Sequence, residues 1–281
     1  MTVLFYASIQ EDANMIHAMS ADEAIKRRRV VRSPGSGIEH WGAEYFGTRW
    51  PSGISGSEPQ ALVAELTPNE HVPAHYHGVE QFQIFTEGNG KMGRNVLQPV
   101  TIQYKDNHTA YGPVISGDQG LNFYAMRIRT AAEAKPRYAH EPDYREKMKP
   151  SKRRHLISAP VHVSTEVVMT HRKEPVWERA LEVQQYDDGL DAHVARLGAG
   201  MEMDGPDPHK SGGYYLFVIN GDLRHEGALY PRWSMIVVTR DESAYRLKAG
   251  PRGVEVLVLE FPIVDEALEA GKSQSEPAEA H

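Results

Sequence analysis

The chain has 281 residues, 40% of them hydrophobic and 25% charged, with a formal net charge of −7 and no cysteine. That length can bury one large core or two modest ones, the missing thiols exclude disulfides and thiolate-bound zinc, and the negative sign argues against a general binder of nucleic acid or anionic membrane. No secretory pattern opens the sequence and no apolar run approaches the ~18 residues that span a bilayer, so a cytoplasmic protein with a small-molecule partner is expected.

In residues 1–30, MSADEAIKRRR predicts a short helix capped by Ser20 or Asp22. From Arg32 the texture changes to short apolar runs separated by Gly, Pro, Asn and Asp: GAEYFGTRW, ALVAELT, EQFQIFTEG, VTIQYKD and LNFYAMRIR. Such spacing predicts an all-β sandwich or barrel over 31–130. The charged, proline-containing stretch 131–160 reads as a linker. Strand texture returns over 161–264 in VHVSTEVVMT, LDAHVARLG, GYYLFVING, WSMIVVTR and VEVLVLEFP, and the tail, 265–281, reads as disordered beyond a short helix at most. Two basic clusters, KRRR at 26–29 and KMKPSKRR at 147–154, are expected to be solvated faces.

The two halves resemble each other. EQFQIFTEGNGKMG answers to GYYLFVINGDLRHEG, with Gly88 on Gly221, and DNHTAY at 106–111 answers to RDESAY at 240–245. This pattern predicts two copies of one β-domain.

The chemistry concentrates in HVPAHYHGVEQFQIFTEGNG, residues 71–90. Alternate side chains of a strand share a face, so His75, His77, Gln81 and Gln83 point one way, and Phe82 and Ile84 the other. That face is either a wet sheet surface or the lumen of a barrel. Two imidazoles one residue apart sit roughly 6–7 Å from each other at the backbone, at a rise of ~3.3 Å per residue, and can converge on one ion. Gln81 offers a carbonyl oxygen as third donor, and His108 is the available fourth.

HYHGVEQFQIFTEGNG resembles the first cupin motif, two histidines and an acid or amide followed by a glycine turn, and DNHTAYGPV resembles its partner motif. The resemblance covers about 62–128 closely and 190–262 loosely. It implies two tandem jelly-roll barrels with one divalent metal in the first, iron or manganese ahead of zinc or nickel, held by His75, His77 and His108, with Gln81 where most members carry glutamate. It further implies a metal-dependent enzyme acting on a small oxygenated or aromatic molecule, foremost an O2-dependent dioxygenase. Lewis-acid lyase or isomerase chemistry at the same site and a non-catalytic ligand-binding bicupin with a structural metal are the alternatives, and a homodimer is expected. Candidate pocket residues are Gln83, Tyr45, Trp50, Tyr111, Tyr124 and Met126, with Arg127, alternating with Met126, placed outside. In the second copy Pro208, Lys210, Tyr214 and Glu242 fall where the ligands should be, which predicts a metal-free barrel.

Overall fold

The computed structural model describes residues 17–49, 58–129, 135–183 and 187–264. The tail 265–281 and Trp50 lie outside the described residues. In chain order the elements are β1 (His17–Met19), α1 (Ala21–Ile25), β2 (Arg29–Arg32), β3 (Glu39–Phe46), β4 (Gln60–Leu66), β5 (His71–Val72), β6 (His75–Tyr76), β7 (Gln81–Met92), β8 (Asn95–Leu97), β9 (Thr101–Lys105), β10 (Val114–Arg127), β11 (Arg137–Tyr138) and β12 (His155–Ile157). The second half continues with α2 (Glu166–Thr170), β13 (Val176–Arg179), β14 (Asp191–Leu197), β15 (Glu202–Asp204), a 3-10 turn (Pro208–Lys210), β16 (Gly213–His225), β17 (Ala228–Pro231), β18 (Met235–Thr239) and β19 (Arg246–Glu260). As the sequence predicts, Ser20 caps α1, accepting from the Glu23 amide. No helix among the described residues is long and apolar enough to cross a membrane.

Two antiparallel sheets carry the fold. One has the order β12-β9-β7-β10-β4-β3-β2, with β5 and β8 alongside; the other runs β1-β18-β16-β19-β14-β13, with β15 and β17 alongside. The halves exchange pieces at their edges. β1, from the start of the chain, pairs with β18 of the second sheet, and β12, from the stretch read as a linker, pairs with β9 of the first.

The internal repeat is written into the backbone. In the first half Gly88 pairs with Leu121, next to Gly120; in the second Gly221 pairs with Val254, next to Gly253, and both ladders break register there. All four glycines have positive φ. A Cβ on Gly88 would stand 2.2 Å from the Gly120 carbonyl oxygen, and one on Gly221 would stand 2.1 Å from that of Gly253. Only glycine lets the long strands bend this closely past each other, so the barrel curvature of both halves depends on the same pair.

The two sheets pack face to face. Phe82, Ile84, Tyr124 and Met126 of the first join Tyr215, Phe217, Leu257 and Phe261 of the second in one apolar core, with Phe82 against Phe261 at 5.0 Å and Tyr124 against Phe217 at 4.9 Å between ring centres. The opposite face of the first sheet is thereby left for a lumen. The second sheet fills its own lumen with Leu216, Val218, Val238, Leu247, Val256 and Val258.

Two readings from sequence change. The end of VHVSTEVVMT is the helix α2, because Thr165 accepts from the Val168 amide and starts a turn where an alternating strand is expected. The basic cluster at 147–154 is not simply a solvated face: Arg154 is buried in ion pairs with Asp106 at 2.9 Å and Asp188 at 2.8 Å, and Arg153 donates to the His108 carbonyl.

Candidate active site in the first barrel

The cavity of the first barrel has a volume of about 90 Å³. With a water needing roughly 10–15 Å³, it suits a small organic molecule. Its polar cluster is formed by His75, His77, Gln81, Gln83, Tyr111 and Arg127; Leu66, Phe85, Val114 and Phe123 supply apolar wall, and Ser33, His40 and Arg49 also line it. Pro136 and Tyr138 complete its lining. Tyr138 is held there because β11 pairs with β6, opposite His75, so part of the predicted linker is site wall.

The strand phase explains the polar cluster. Gln81 pairs with Lys105 and Gln83 with Gln103 across β7 and β9, while Gln83 pairs with Ala125 across β7 and β10. Cross-strand partners share a face, so the residue after Met126, Arg127, turns toward the lumen beside Gln81. Met126, paired with Phe82, turns into the core between the sheets. The expectation for both residues is thus reversed. Tyr45 and Tyr124 also leave the pocket: they pack edge to face at 5.6 Å within the inter-sheet core, by a separate groove near Trp233. Gln83 and Tyr111 do line the cavity. Lys105 continues the polar phase of Thr101 and Gln103 on β9, whereas Arg127 follows the apolar phase of Phe123 and Ala125 on β10, so alternation alone gives no sign of it.

The donors are arranged as follows. His75 Nδ1 faces the Pro73 carbonyl at 2.8 Å, which can only accept, so Nδ1 carries the proton and Nε2 presents its lone pair. The Tyr111 hydroxyl, 2.8 Å away, donates to that lone pair. Burial, with the charges of Lys105 and Arg127 nearby, pushes His75 down to about 4, so the ring is neutral at pH 7. The His77 ring lies 5.2 Å from it at 82°. Burial raises the Tyr111 phenol well above its usual value and keeps it protonated. Arg127 donates to Gln81 Oε1 from Nε at 2.9 Å and from Nη2 at 2.6 Å, donates to Gln60 Oε1, and brings Nη2 to 3.4 Å from His77 Nδ1.

These donors fit a divalent metal in part. The crossed imidazoles of His75 and His77 suit one, and the Nδ1–H tautomer of His75 leaves Nε2 free of its own proton. The oxygen donor does not suit it in this structure, because Gln81 Oε1 accepts twice from a guanidinium. His108 does not join them. It follows a turn in which its amide donates to the His77 carbonyl at 2.7 Å, its own φ is 50°, and its ring packs 5.4 Å from Tyr76 on a separate cleft with Lys147 and Lys149. Among the described residues no three His, Cys, Asp or Glu side chains are grouped to hold a metal. The predicted set of four is therefore not assembled; three of its members are brought together.

In the second barrel Tyr214 is buried in apolar surroundings with its hydroxyl accepting from the Tyr245 amide, and Glu242 accepts from the Thr239 hydroxyl. Pro208 and Lys210 belong to the 3-10 turn.

No family model matches the chain, and no curated protein matches it by sequence. Solved structures do match. A provisionally named dioxygenase of Nostoc punctiforme superposes with a TM-score of 0.55 at 12% identity, covering 92% of this chain and 86% of its own. The salicylate 1,2-dioxygenase of Pseudaminobacter salicylatoxidans gives 0.51 at 12%, covering 88% and 84%. The oxalate decarboxylase of Lactobacillus farciminis gives 0.50 at 11%, covering 91% and 89%. At such identities the likeness concerns the fold, which is the two-barrel cupin fold.

Proposed function

From a chain that carries the cupin fold twice, we propose a metal-dependent enzyme that works on one small oxygenated molecule in the first barrel. The observation that carries this reading is the crossed pair of His75 and His77 on the wall of a cavity that is polar in part and apolar in part. A divalent ion would be held by His75 and His77, with Gln81 as the oxygen donor once Arg127 releases it. When bound, such an ion supplies Lewis-acid polarisation of a substrate oxygen. The remaining work belongs to the chain's own residues. Tyr111 holds a proton at its hydroxyl beside His75, and the apolar side chains of the wall receive the body of the substrate. The dioxygenase and decarboxylase named among the structural neighbours make O2-dependent cleavage and decarboxylation the first reactions to try.

Elemental analysis of protein purified without chelator, beside His77→Ala, tests the reading. One iron, manganese, zinc or nickel ion per chain in the wild type, lost in the variant, is the expected result. No bound metal in the wild type after reconstitution would remove the metal-dependent reading.

A further inference from the structure

Four arginines of the described residues have buried side chains: Arg49, Arg127, Arg154 and Arg196. Three lie against carboxylates, Arg49 on Glu44 at 3.1 Å, Arg154 on Asp106 and Asp188, and Arg196 on Glu255 at 2.6 Å. Arg127, 4% exposed, is the exception. Its donors meet the amide oxygens of Gln81 and Gln60 and the imidazole of His77, and no ion pair to it is formed among the described residues. A buried charge without a counter-charge is costly, and a fold that keeps one in a cavity has a use for it.

The surroundings agree. Lys105, fully buried on the strand beside Gln81, donates to the Val79 carbonyl at 3.2 Å and stands 5.4 Å from the centre of the Tyr111 ring, so a second nitrogen donor backs the same wall. Burial pulls Lys105 down to about 7 and Arg127 to about 10, which leaves the guanidinium charged at neutral pH. None of the residues lining the cavity is Asp or Glu. Two buried amide atoms on the wall, Gln81 Nε2 and Gln83 Oε1, lack hydrogen-bond partners. The rest of the wall carries the apolar side chains of Leu66, Phe85, Val114 and Phe123, beside Ser33, His40 and Arg49, the last already paired with Glu44.

We propose that Arg127 is the receptor for the carboxylate of a small acid whose apolar body packs on the apolar side chains of the first-barrel cavity. This deepens the reading of that cavity as the substrate site and rests on it. The guanidinium fork matches a planar carboxylate with two parallel hydrogen bonds, a stronger partner than the amide oxygen it holds in this structure. A carboxylate there takes Arg127 from Gln81 Oε1, which then turns free toward His75 and His77. Binding of the acid and completion of the oxygen donor are thus one event.

Isothermal titration of the full chain, stripped with chelator, against benzoate and its neutral isostere benzamide tests this without any variant. Benzoate is expected to bind saturably and benzamide at least tenfold more weakly. Arg127→Met, checked for an unchanged circular dichroism spectrum, is expected to lose at least tenfold in benzoate affinity, with Arg127→Lys between. Equal binding of benzoate and benzamide, or no saturable binding of benzoate, acetate or formate, would overturn the proposal. Because the titration uses metal-free protein, it fails or succeeds separately from the metal analysis of His77→Ala.

Discussion

The two lumens occupy corresponding places in the two sheets, yet they are built from opposite chemistry. Around the first run Gln81, Gln83, Gln103, Lys105 and Arg127; at the same ladder positions of the second stand Tyr214, Leu216, Ile236, Val238 and Glu260. The glycine pairs that bend the strands are kept in both. The difference teaches that shape and chemistry are separable here: the bend needs four glycines, whereas the cavity needs polar side chains too large and too charged to interlock. Where those are replaced by Leu, Ile and Val the barrel closes on itself and gains stability from burial instead.

Swapping residues between the lumens should have the largest effect. Val238→Lys places an ammonium in a dry, filled core with no partner, and a loss of about 3–5 kcal/mol is expected in urea unfolding. The mirror change, Lys105→Met, replaces a buried amine that burial already pulls down to about 7 and should leave stability unchanged or raise it by about 1 kcal/mol. If both changes cost the same, the lumens are not the opposites described.

The shared glycines should behave alike. Gly88→Ala and Gly221→Ala each push a Cβ against a backbone carbonyl at positive φ, and each should cost about 1–3 kcal/mol in unfolding midpoints. A large cost at one site and none at the other would break the equivalence.

The last effect depends on pH and concerns the rim of the second barrel. Glu260 takes the ladder place of Arg127, and burial, followed by the charge of Asp191, pushes it up to about 7. His193 Nδ1 lies 3.9 Å away, but burial lowers that imidazole, so it brings little positive charge at neutral pH; Arg179 is engaged with Asp191. A carboxyl whose folded pKa is raised favours the folded state fully at pH values below its unfolded pKa. That contribution is lost as pH rises toward 7. Wild-type stability should therefore fall by roughly 1–3 kcal/mol across that window, and Glu260→Gln should flatten the slope. An unchanged slope in the variant would assign it to other groups.

Much of this was legible from sequence. Alternation and turn residues locate the strands, the paired glycines announce the duplication, and His75, His77, Gln81 and Gln83 declare one polar face. What stayed hidden depends on register between strands far apart in the chain. Arg127 and Met126 differ by one step along a strand, and only the pairing of Phe82 with Met126 says which one looks into the barrel. His108 was misplaced for a local reason: its left-handed backbone turns the ring toward Tyr76 instead of inward. The segment 131–160 looked like a tether because its strands, two and three residues long, carry too little alternation to detect.

β1 seals an edge it is not adjacent to in sequence. Its three residues run along β18, whose Met-Ile-Val-Val-Thr backbone would otherwise be the rim of the second sheet. An uncovered apolar strand offers a row of unmatched amides and carbonyls to any passing chain. β1 thus acts as a guard against self-templating by a sheet that is completed only much later in the chain, and a cut between the halves would leave each with a frayed border.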